Sequence, residues 1–221
     1  MTVGYIKLSH FSVKEYLLST RVQEYFGIKE KTSHSKISQL SIAYLLQFDD
    51  DSSPLKVDMP LAWYAAEHWI DHAKSGGMDA AVLQLILLLF KSGSAPLQNW
   101  IRICNIDAKV LQMPWKKTNL SMDKAKVCSP LYYSSLAGMQ EVADCLLRRG
   151  ENANAEGGDF GNALQAASHE GHEAIVKLLL ENGAEVNAKG GTYGNALQAA
   201  SSRGKEAMRQ LLNCCLRMGQ E

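Results

Sequence analysis

The sequence predicts an all-α fold in two parts, a helical segment over residues 1–126 and a solenoid of three repeated helix pairs over residues 127–221. The first observation is a period of 33 residues, which lays GNALQAAS at positions 161–168 onto an identical GNALQAAS at positions 194–201. The second is apolar residues at three- and four-residue spacing in both parts, a pattern typical of helices with one buried face.

The first part shows helical spacing but no internal period. Ser12 and Glu15 have the spacing of a capping box, in which each side chain bonds a free backbone N–H at a helix start. Apolar residues at helical spacing predict further helices over 37–45, 61–73 and 78–90 and a shorter helix around Trp100.

Each repeated unit is predicted to contain two short helices and a loop. Ser129, Asn162 and Asn195 stand where the first helix of each unit begins, and small polar side chains there accept hydrogen bonds from free backbone N–H groups. Glycines at matching positions end the helices. The three units span 127–159, 160–192 and 193–221.

Stacking of the units follows from their size. A pair of eight- to ten-residue helices cannot bury enough apolar surface alone, so neighbouring units must share a core. We expect Leu164 and Leu197, which occupy the same position in successive units, to be buried. The first unit is expected to rest on the preceding helices, because nothing else in the array covers that end.

Short motifs identify the kind of repeat. SPLY at residues 129–132 and NALQ at residues 162–165 match, more loosely than the period does, the Thr-Pro-Leu-His pattern of ankyrin repeats, which the units resemble. Gln165 and Gln198 stand where that family usually has histidine, and an amide can still bridge neighbouring turns by hydrogen bonds. The resemblance implies an ankyrin-repeat solenoid that binds another protein.

Two phrases in the first part point to a longer architecture. LSHFSVKEYLLS at residues 8–19 and PLAWYAAEHWIDHA at residues 60–73 are similar to the stretch that follows the nucleotide-binding core of fungal NACHT-ankyrin proteins, which are intracellular NLR-like sensors. This resemblance implies a short winged-helix remnant followed by a helical linker domain. The sequence contains no GxxxxGK[ST] loop to hold phosphates. We therefore expect the distal part of such a protein, without the P-loop ATPase and not itself an enzyme.

Composition limits the classes of partner. Lys and Arg together number 23, as do Asp and Glu, so the overall charge favours neither nucleic acid nor an anionic membrane as partner. Five cysteines form an odd set without a CxxC pair, which is typical of a reducing compartment. The first residues lack the apolar core of a signal peptide. We expect a soluble, cytoplasmic protein with a protein partner.

Candidate chemistry is sparse. His68 and His72 have the four-residue spacing that lets two imidazoles bind one zinc ion, but Trp69 replaces the glutamate of the usual motif and no third ligand is evident. Packing and surface histidines are the better interpretation. Cys214 and Cys215 are interpreted as structural thiols, and the lysines near Trp115 as a solvated linker. No cofactor or metal is expected.

Positions that differ between matching units are the candidate contacts with a partner. Loop tips and the ends of the first helices carry such differences, on the side that ankyrin arrays usually present as a concave groove. Drift of a plain surface would produce the same differences. The candidate partner-binding residues are Glu156, Asp159, Phe160, His169, Glu170, Lys189, Thr192, Tyr193, Ser202 and Arg203.

Two functional hypotheses remain open at this point. The first is a non-catalytic protein–protein interaction module, the ligand-recognition end of an intracellular NLR-like sensor. The second is an oligomerisation or autoinhibitory element of a nucleotide-driven switch whose ATPase domain lies outside this chain, which would include self-association.

Overall fold

The computed structural model describes residues 29–48, 60–112 and 127–204, together with residues 209 and 213. Within them the predicted all-α architecture is confirmed, with two very short strands as the one addition. No helix in the described part of the chain is both long and apolar enough to cross a membrane. Several predictions lie outside the described residues: the winged-helix remnant with Ser12 and Glu15, the linker around Trp115, and Cys214 and Cys215.

Five helices form the described part of residues 1–126. Side chains begin three of them: Asp79 accepts from the Val82 N–H at 2.9 Å, Ser94 accepts from the Leu97 N–H, and Asn105 caps the last. The helices are α1 (Glu30–Leu46), α2 (Pro60–Gly76), α3 (Ala80–Leu89), α4 (Ala95–Ile103) and α5 (Ile106–Val110).

Aromatic side chains hold the core of this region together and connect it to the repeats. Trp100 of α4 is buried, and its ring centroid lies 5.3 Å from that of Trp69 and 5.5 Å from that of Phe90. Its indole N–H donates to the Ala66 carbonyl of α2 at 3.0 Å. On the other side the Trp100 ring lies 6.0 Å from Tyr133 of the first repeat unit. One continuous core therefore runs through both parts.

The first two units contain helix pairs joined by loops, as predicted, and the first helix of the third unit is described. Ser129, Asn162 and Asn195 are confirmed as N-caps, each accepting from the backbone N–H three residues later at 3.2, 2.8 and 2.8 Å respectively. The elements are α6 (Pro130–Leu136), α7 (Gln140–Arg148), β1 (Glu156–Gly157), β2 (Gly161–Asn162), α8 (Ala163–Glu170), α9 (Glu173–Glu181) and α10 (Ala196–Arg203).

The loops between units form small hairpins that the sequence analysis did not anticipate. Strand β1 pairs antiparallel with β2, with Gly157 opposite Gly161. The equivalent residues of the next unit, Gly190 and Gly194, form the same bridge. Gly161 has a φ of 103°, a backbone conformation that favours glycine, so the close turn depends on this residue type.

The expected bridging role of glutamine is confirmed for the middle unit. The buried Gln165 side-chain NH₂ group donates to the carbonyls of Ala188, Gly190 and Gly194 in the next hairpin, at 3.1, 3.4 and 3.3 Å. One side chain thus satisfies the Ala188 and Gly190 carbonyls of the close turn and shares the Gly194 carbonyl with the Gly190 N–H. Gln198, the equivalent residue, is exposed, and within the described residues no following hairpin faces it.

A buried tyrosine joins the first part to the array. Tyr132 stands at the position that Gln165 has in the middle unit, and its O–H donates to the Asp107 carboxylate of α5. The same oxygen accepts from the Phe160 N–H at 3.3 Å. Tyr132 therefore ties α5 to two successive units, and a side chain at Gly158 would overlap its ring.

Burial changes the charge behaviour of Asp107, which is 5% exposed. Burial raises the pKa of this carboxyl to about 6, although the hydrogen bond from Tyr132 acts in the opposite direction. Asp159 adds a further negative charge nearby and raises the pKa of Asp107 as well. The junction therefore contains an acid that titrates close to neutral pH.

The predicted burial of Leu197 is wrong. Leu164 is 1% exposed, whereas Leu197 is 40% exposed. The reason is the neighbour that each requires: α10 packs against α8 and covers Leu164, but no described helix follows α10 to cover Leu197. The predicted second helix of unit three falls on residues 205–221, of which Arg209 and Asn213 are described, both helical.

This difference is measurable by truncating both leucines. We expect Leu164→Ala to lower the free energy of unfolding by about 2 to 5 kcal/mol, because a fully buried side chain leaves a cavity. Leu197→Ala should cost about 1 kcal/mol. Urea denaturation of both variants measures the two losses, and equal losses would contradict the described exposure of Leu197.

The junction should make stability depend on pH. The pKa of Asp107 is about 6 in the fold and near the ordinary value of an aspartate, 3.8, when the chain is unfolded. Stability is therefore highest below pH 4 with respect to this group, and falls by up to about 3 kcal/mol as pH rises to 6 and above. Asp107→Asn keeps an acceptor for Tyr132 without the charge. Denaturation across pH 4 to 7 should show the wild type losing stability relative to this variant, and parallel curves would exclude the effect.

Candidate partner-binding surface

The candidate residues form one strip along two successive units. At the loop tips Glu156, Lys189 and Thr192 are exposed, and Asp159 is half-buried. Beyond them the strip reaches the ends of α8 and α10, with half-buried Glu170 and Tyr193 and exposed Ser202 and Arg203. We call these eight residues the variable strip.

The remaining two candidates lie beneath the strip. Phe160 is 1% exposed and His169 is 6% exposed, so neither side chain is open to a partner in this structure. Their ring centroids are 4.6 Å apart, and the ring of Tyr193 stacks on both, at 6.0 Å from Phe160 and 5.1 Å from His169. These two residues support the surface by fixing the position of the partly exposed Tyr193 ring.

Matching positions of neighbouring units contact one another. The N–H and Oγ1 of Thr192 donate to the Asp159 carbonyl at 2.8 and 2.9 Å. Arg203 donates to Glu170 Oε2 at 3.3 Å. Positions one period apart are neighbours in a stacked solenoid, so the differences between units supply complementary partners. These positions therefore contribute to stacking as well as to the outer surface.

Glu170 is charged near neutral pH despite its surroundings. Burial works against its ionisation, but the hydrogen bond with His169, at 2.9 Å, and the charge of Arg203 outweigh it. The pKa of the Glu170 carboxyl therefore lies below its usual value. The end of α8 therefore presents the Glu170 carboxylate, which is paired with the Arg203 guanidinium.

The loop tips border a groove between the two hairpins. This groove has a volume of about 330 Å³ and includes both Glu156 and Lys189. Much of its lining is backbone, because several lining residues are glycines, among them Gly157, Gly158 and Gly190. A groove of this kind offers backbone hydrogen-bonding groups between side chains of opposite charge.

A second cavity, which the sequence analysis missed, lies between α2 and the array. Its volume is about 300 Å³, and both parts of the chain line it, with Lys74 from α2 and His172 from the loop before α9. Lys74 and His172 are 98 positions apart in the sequence and belong to no common motif. No pattern in the sequence could have brought them together before the fold was known.

The two histidines considered for zinc binding have other contacts. His72 Nδ1 lies 2.7 Å from Nδ1 of His34 on α1, and its Nε2 lies 2.8 Å from the Tyr64 hydroxyl. His68 Nδ1 lies 4.0 Å from Asp71. Burial and the neighbouring histidines lower the pKa of His72. In the described ranges no group of three or more His, Cys, Asp or Glu side chains is arranged to hold a metal ion.

The half-buried thiol of Cys128, near the junction, is not set up as a nucleophile. Burial raises the pKa of the Cys128 thiol to about 11, in spite of its contact with Tyr133. The thiolate, which is the reactive form, is therefore scarce near neutral pH.

Comparison with known proteins identifies the repeats. A family model described as ankyrin repeats in three copies matches residues 85–190, and a second, described as ankyrin repeats in many copies, matches residues 164–219. Such repeats are generally non-catalytic and indicate a protein–protein interaction module. The first match begins inside α3, upstream of residue 127, so the division of the chain at that residue stays a prediction.

The sequence is also similar to a named fungal protein. It is 37% identical over 183 residues to the azaphilone pigments biosynthesis cluster protein L of Monascus ruber, a match that covers 75% of this chain. The chain spans 38% of the length of that relative. The relative's name refers to a pigment gene cluster and states no enzymatic activity.

The contribution of the strip to stacking can be measured with a double-mutant cycle. We expect Arg203→Ala and Glu170→Gln to show a coupling of about 1 kcal/mol in the free energy of unfolding, because the Glu170 carboxylate is largely buried. The exposed pair of Lys177 and Glu181 on α9, at 3.6 Å, is the matched control and should couple by about 0.3 kcal/mol. Equal couplings would contradict a stacking role for the pair.

Proposed function

Because this chain contains ankyrin repeats, we propose that it is a non-catalytic module that binds a protein partner through the variable strip. The observation that carries the proposal is the convergence of the strip. Residues that differ between units come together in pairs: Glu156 and Lys189 line one groove, Thr192 donates to the Asp159 carbonyl, and Arg203 donates to Glu170.

The chemistry of the strip suits recognition of another protein. The strip contains exposed Glu156, Lys189 and Arg203 and the partly exposed ring of Tyr193. Aromatic and charged side chains in one surface are a common combination in protein interfaces. The ring rests on Phe160 and His169, so little conformational freedom is lost when a partner covers it.

The size of the strip limits the affinity we expect. A standard interface buries roughly 1,600 Å² in total, and two units offer only a part of this area. We therefore expect weak binding, or binding in which helices of residues 1–126 also contact the partner.

We further propose that the module is the recognition end of an intracellular NLR-like sensor in the cytoplasm. The support is the resemblance of PLAWYAAEHWIDHA, now seen as the core of α2, and of the repeats to fungal NACHT-ankyrin proteins. The chain also spans less than half of its named relative, which leaves length for other domains in that relative.

A second candidate function is oligomerisation or autoinhibition through α1 and α2. These helices expose three large apolar side chains, Leu40 at 72%, Leu61 at 58% and Tyr64 at 43%. They border a groove of about 450 Å³ with few polar groups. An apolar surface of this kind is typical of a contact with another protein surface.

A quantitative pull-down with matched variants tests the first proposal. Glu156→Ala and Lys189→Ala together remove one acid and one base from the loop tips, where both side chains are exposed and separate from the buried support. The control, Glu173→Ala with Lys177→Ala, removes the same charges from the exposed face of α9. We expect specifically bound proteins to be lost from the strip variant and kept by the control.

The opposite results separate the candidates. Retention of every bound protein by the folded strip variant would overturn the proposed surface. A third variant, Leu40→Ser with Leu61→Ser, addresses the second candidate. Loss of self-association or of bound proteins in this variant alone would favour oligomerisation or autoinhibition through α1 and α2.

A further inference from the structure

The cleft between α2 and the array has an apolar floor and a charged rim. Ile70 of α2 and Leu136 and Ala137 of the first unit form part of the floor, and all three are buried. Lys74 and His172 both line the cleft, and the charge of Lys74 acts on the imidazole of His172. This cleft is distinct from the variable strip, although Glu170 and Arg203 belong to both.

Two other cations of the cleft, Lys109 and Arg203, are already paired. The Lys109 ammonium group donates to the Glu67 carbonyl at 2.9 Å and to Asp71 Oδ2 at 3.3 Å. Arg203 is paired with Glu170. These pairs leave each cation with a carboxylate at hydrogen-bonding distance, so neither is the group that would attract an additional anion.

Lys74 differs from these cations. It is exposed, and within the described ranges no carboxylate lies within ion-pair distance of its ammonium group. Its charge acts on His172, where it disfavours the protonated imidazole. Among the described residues that line this cleft, Lys74 is therefore the lysine or arginine without a carboxylate at ion-pair distance.

The backbone holds the His172 ring beside this charge. Gly138 has a φ of 70°, and any side chain at this position would collide with the imidazole. The Leu136 carbonyl accepts a hydrogen bond from the ring. The ring is thus fixed against the turn between α6 and α7, where glycine is required for both the backbone conformation and the space.

We propose that Lys74 and His172 together bind the carboxylate of an Asp or Glu side chain of the partner protein, with a neighbouring apolar side chain of the partner on the cleft floor. The proposal rests on the proposed function, that the chain binds a protein, and adds the chemistry of one contact. We call the part of the cleft that Lys74 and His172 line the Lys74–His172 pocket.

Binding of a carboxylate should change the protonation of His172. Burial first, and then the charge of Lys74, lower the pKa of His172 in the free protein; Glu170 raises it and Arg203 lowers it further. A bound carboxylate would offset Lys74 and stabilise the imidazolium, so the pKa of His172 should rise on binding. Affinity should therefore increase as pH falls from 7 towards 6, and decrease again near pH 4, where the carboxylate is protonated.

Two blocked pentapeptides, one with a carboxylate and the other with the corresponding amide, provide the test. One contains Asp between leucines and the other contains Asn in its place. The imidazole signals of the labelled full chain are followed by NMR during titration to millimolar peptide, and His172→Asn identifies the relevant signal. We expect the Asp peptide to bind about fivefold more tightly than the Asn peptide, and only the Asp peptide to raise the pKa of His172.

Charge variants locate the effect. Lys74→Glu should abolish the preference for the Asp peptide, and Lys74→Arg should retain it. Lys91→Glu makes the same charge change at an exposed lysine outside the cleft and should leave the preference intact. Equal binding of the two peptides, no movement of the His172 signal, or an unchanged preference in Lys74→Glu would each overturn the proposal.

The outcome is separable from the test of the variable strip. The pull-down changes Glu156 and Lys189, which do not line the cleft, whereas the titration uses Lys74 and His172. If the strip variant loses its bound proteins and the protein binds the Asp and Asn peptides equally, the proposed pocket is wrong and the proposed binding function stands. If the Asp peptide binds as expected and the strip variant keeps every bound protein, the strip is wrong and the pocket stands.

Discussion

The fold depends on the inability of one short helix pair to bury its own apolar face. Each unit is stable only when a neighbour covers it, and the contacts between units show how this is achieved. Gln165 donates to three carbonyls of the next hairpin. Asn154 donates to the Gly183 carbonyl at 2.9 Å and accepts from the Glu185 N–H at 2.7 Å. Apolar burial supplies the attraction, and these bonds set the register.

The first unit meets the same requirement in another way. The helices that precede it, where the ankyrin-repeat match already begins, cover this end. Trp100 packs on Tyr133, while Asp107 accepts from Tyr132. Because burial raises the pKa of Asp107, its ionised form lowers the stability of the junction near neutral pH. The attachment of the array is therefore sensitive to proton concentration.

Stacking also shapes the surface available to a partner. Because matching positions of adjacent units are neighbours, a difference between units creates a contact within the protein as well as a new outer surface. The pair of Glu170 and Arg203 shows both properties. A substitution there changes stability and recognition together, whereas Glu156 and Lys189 at the loop tips are exposed and separable from the core.

Local patterns predicted the parts of this structure whose physics is local. The N-caps at Ser129, Asn162 and Asn195 follow from side chains that reach a backbone N–H three residues away. The bridging by Gln165 followed from one amide and a known period. The candidate strip was identified by comparing units, but burial of Phe160 and His169 was not anticipated, because their covers come from Tyr193 and the next unit.

The sequence by itself determined the helical units, their period and their stacking order. Only the tertiary structure decided which copy of an identical motif is covered, so that Leu164 is buried and Leu197 is not. It alone brought Tyr132 to Asp107 and Lys74 to His172. The physical reason is that a helix start is specified within four residues, whereas burial and charge pairing depend on surfaces supplied by distant parts of the chain.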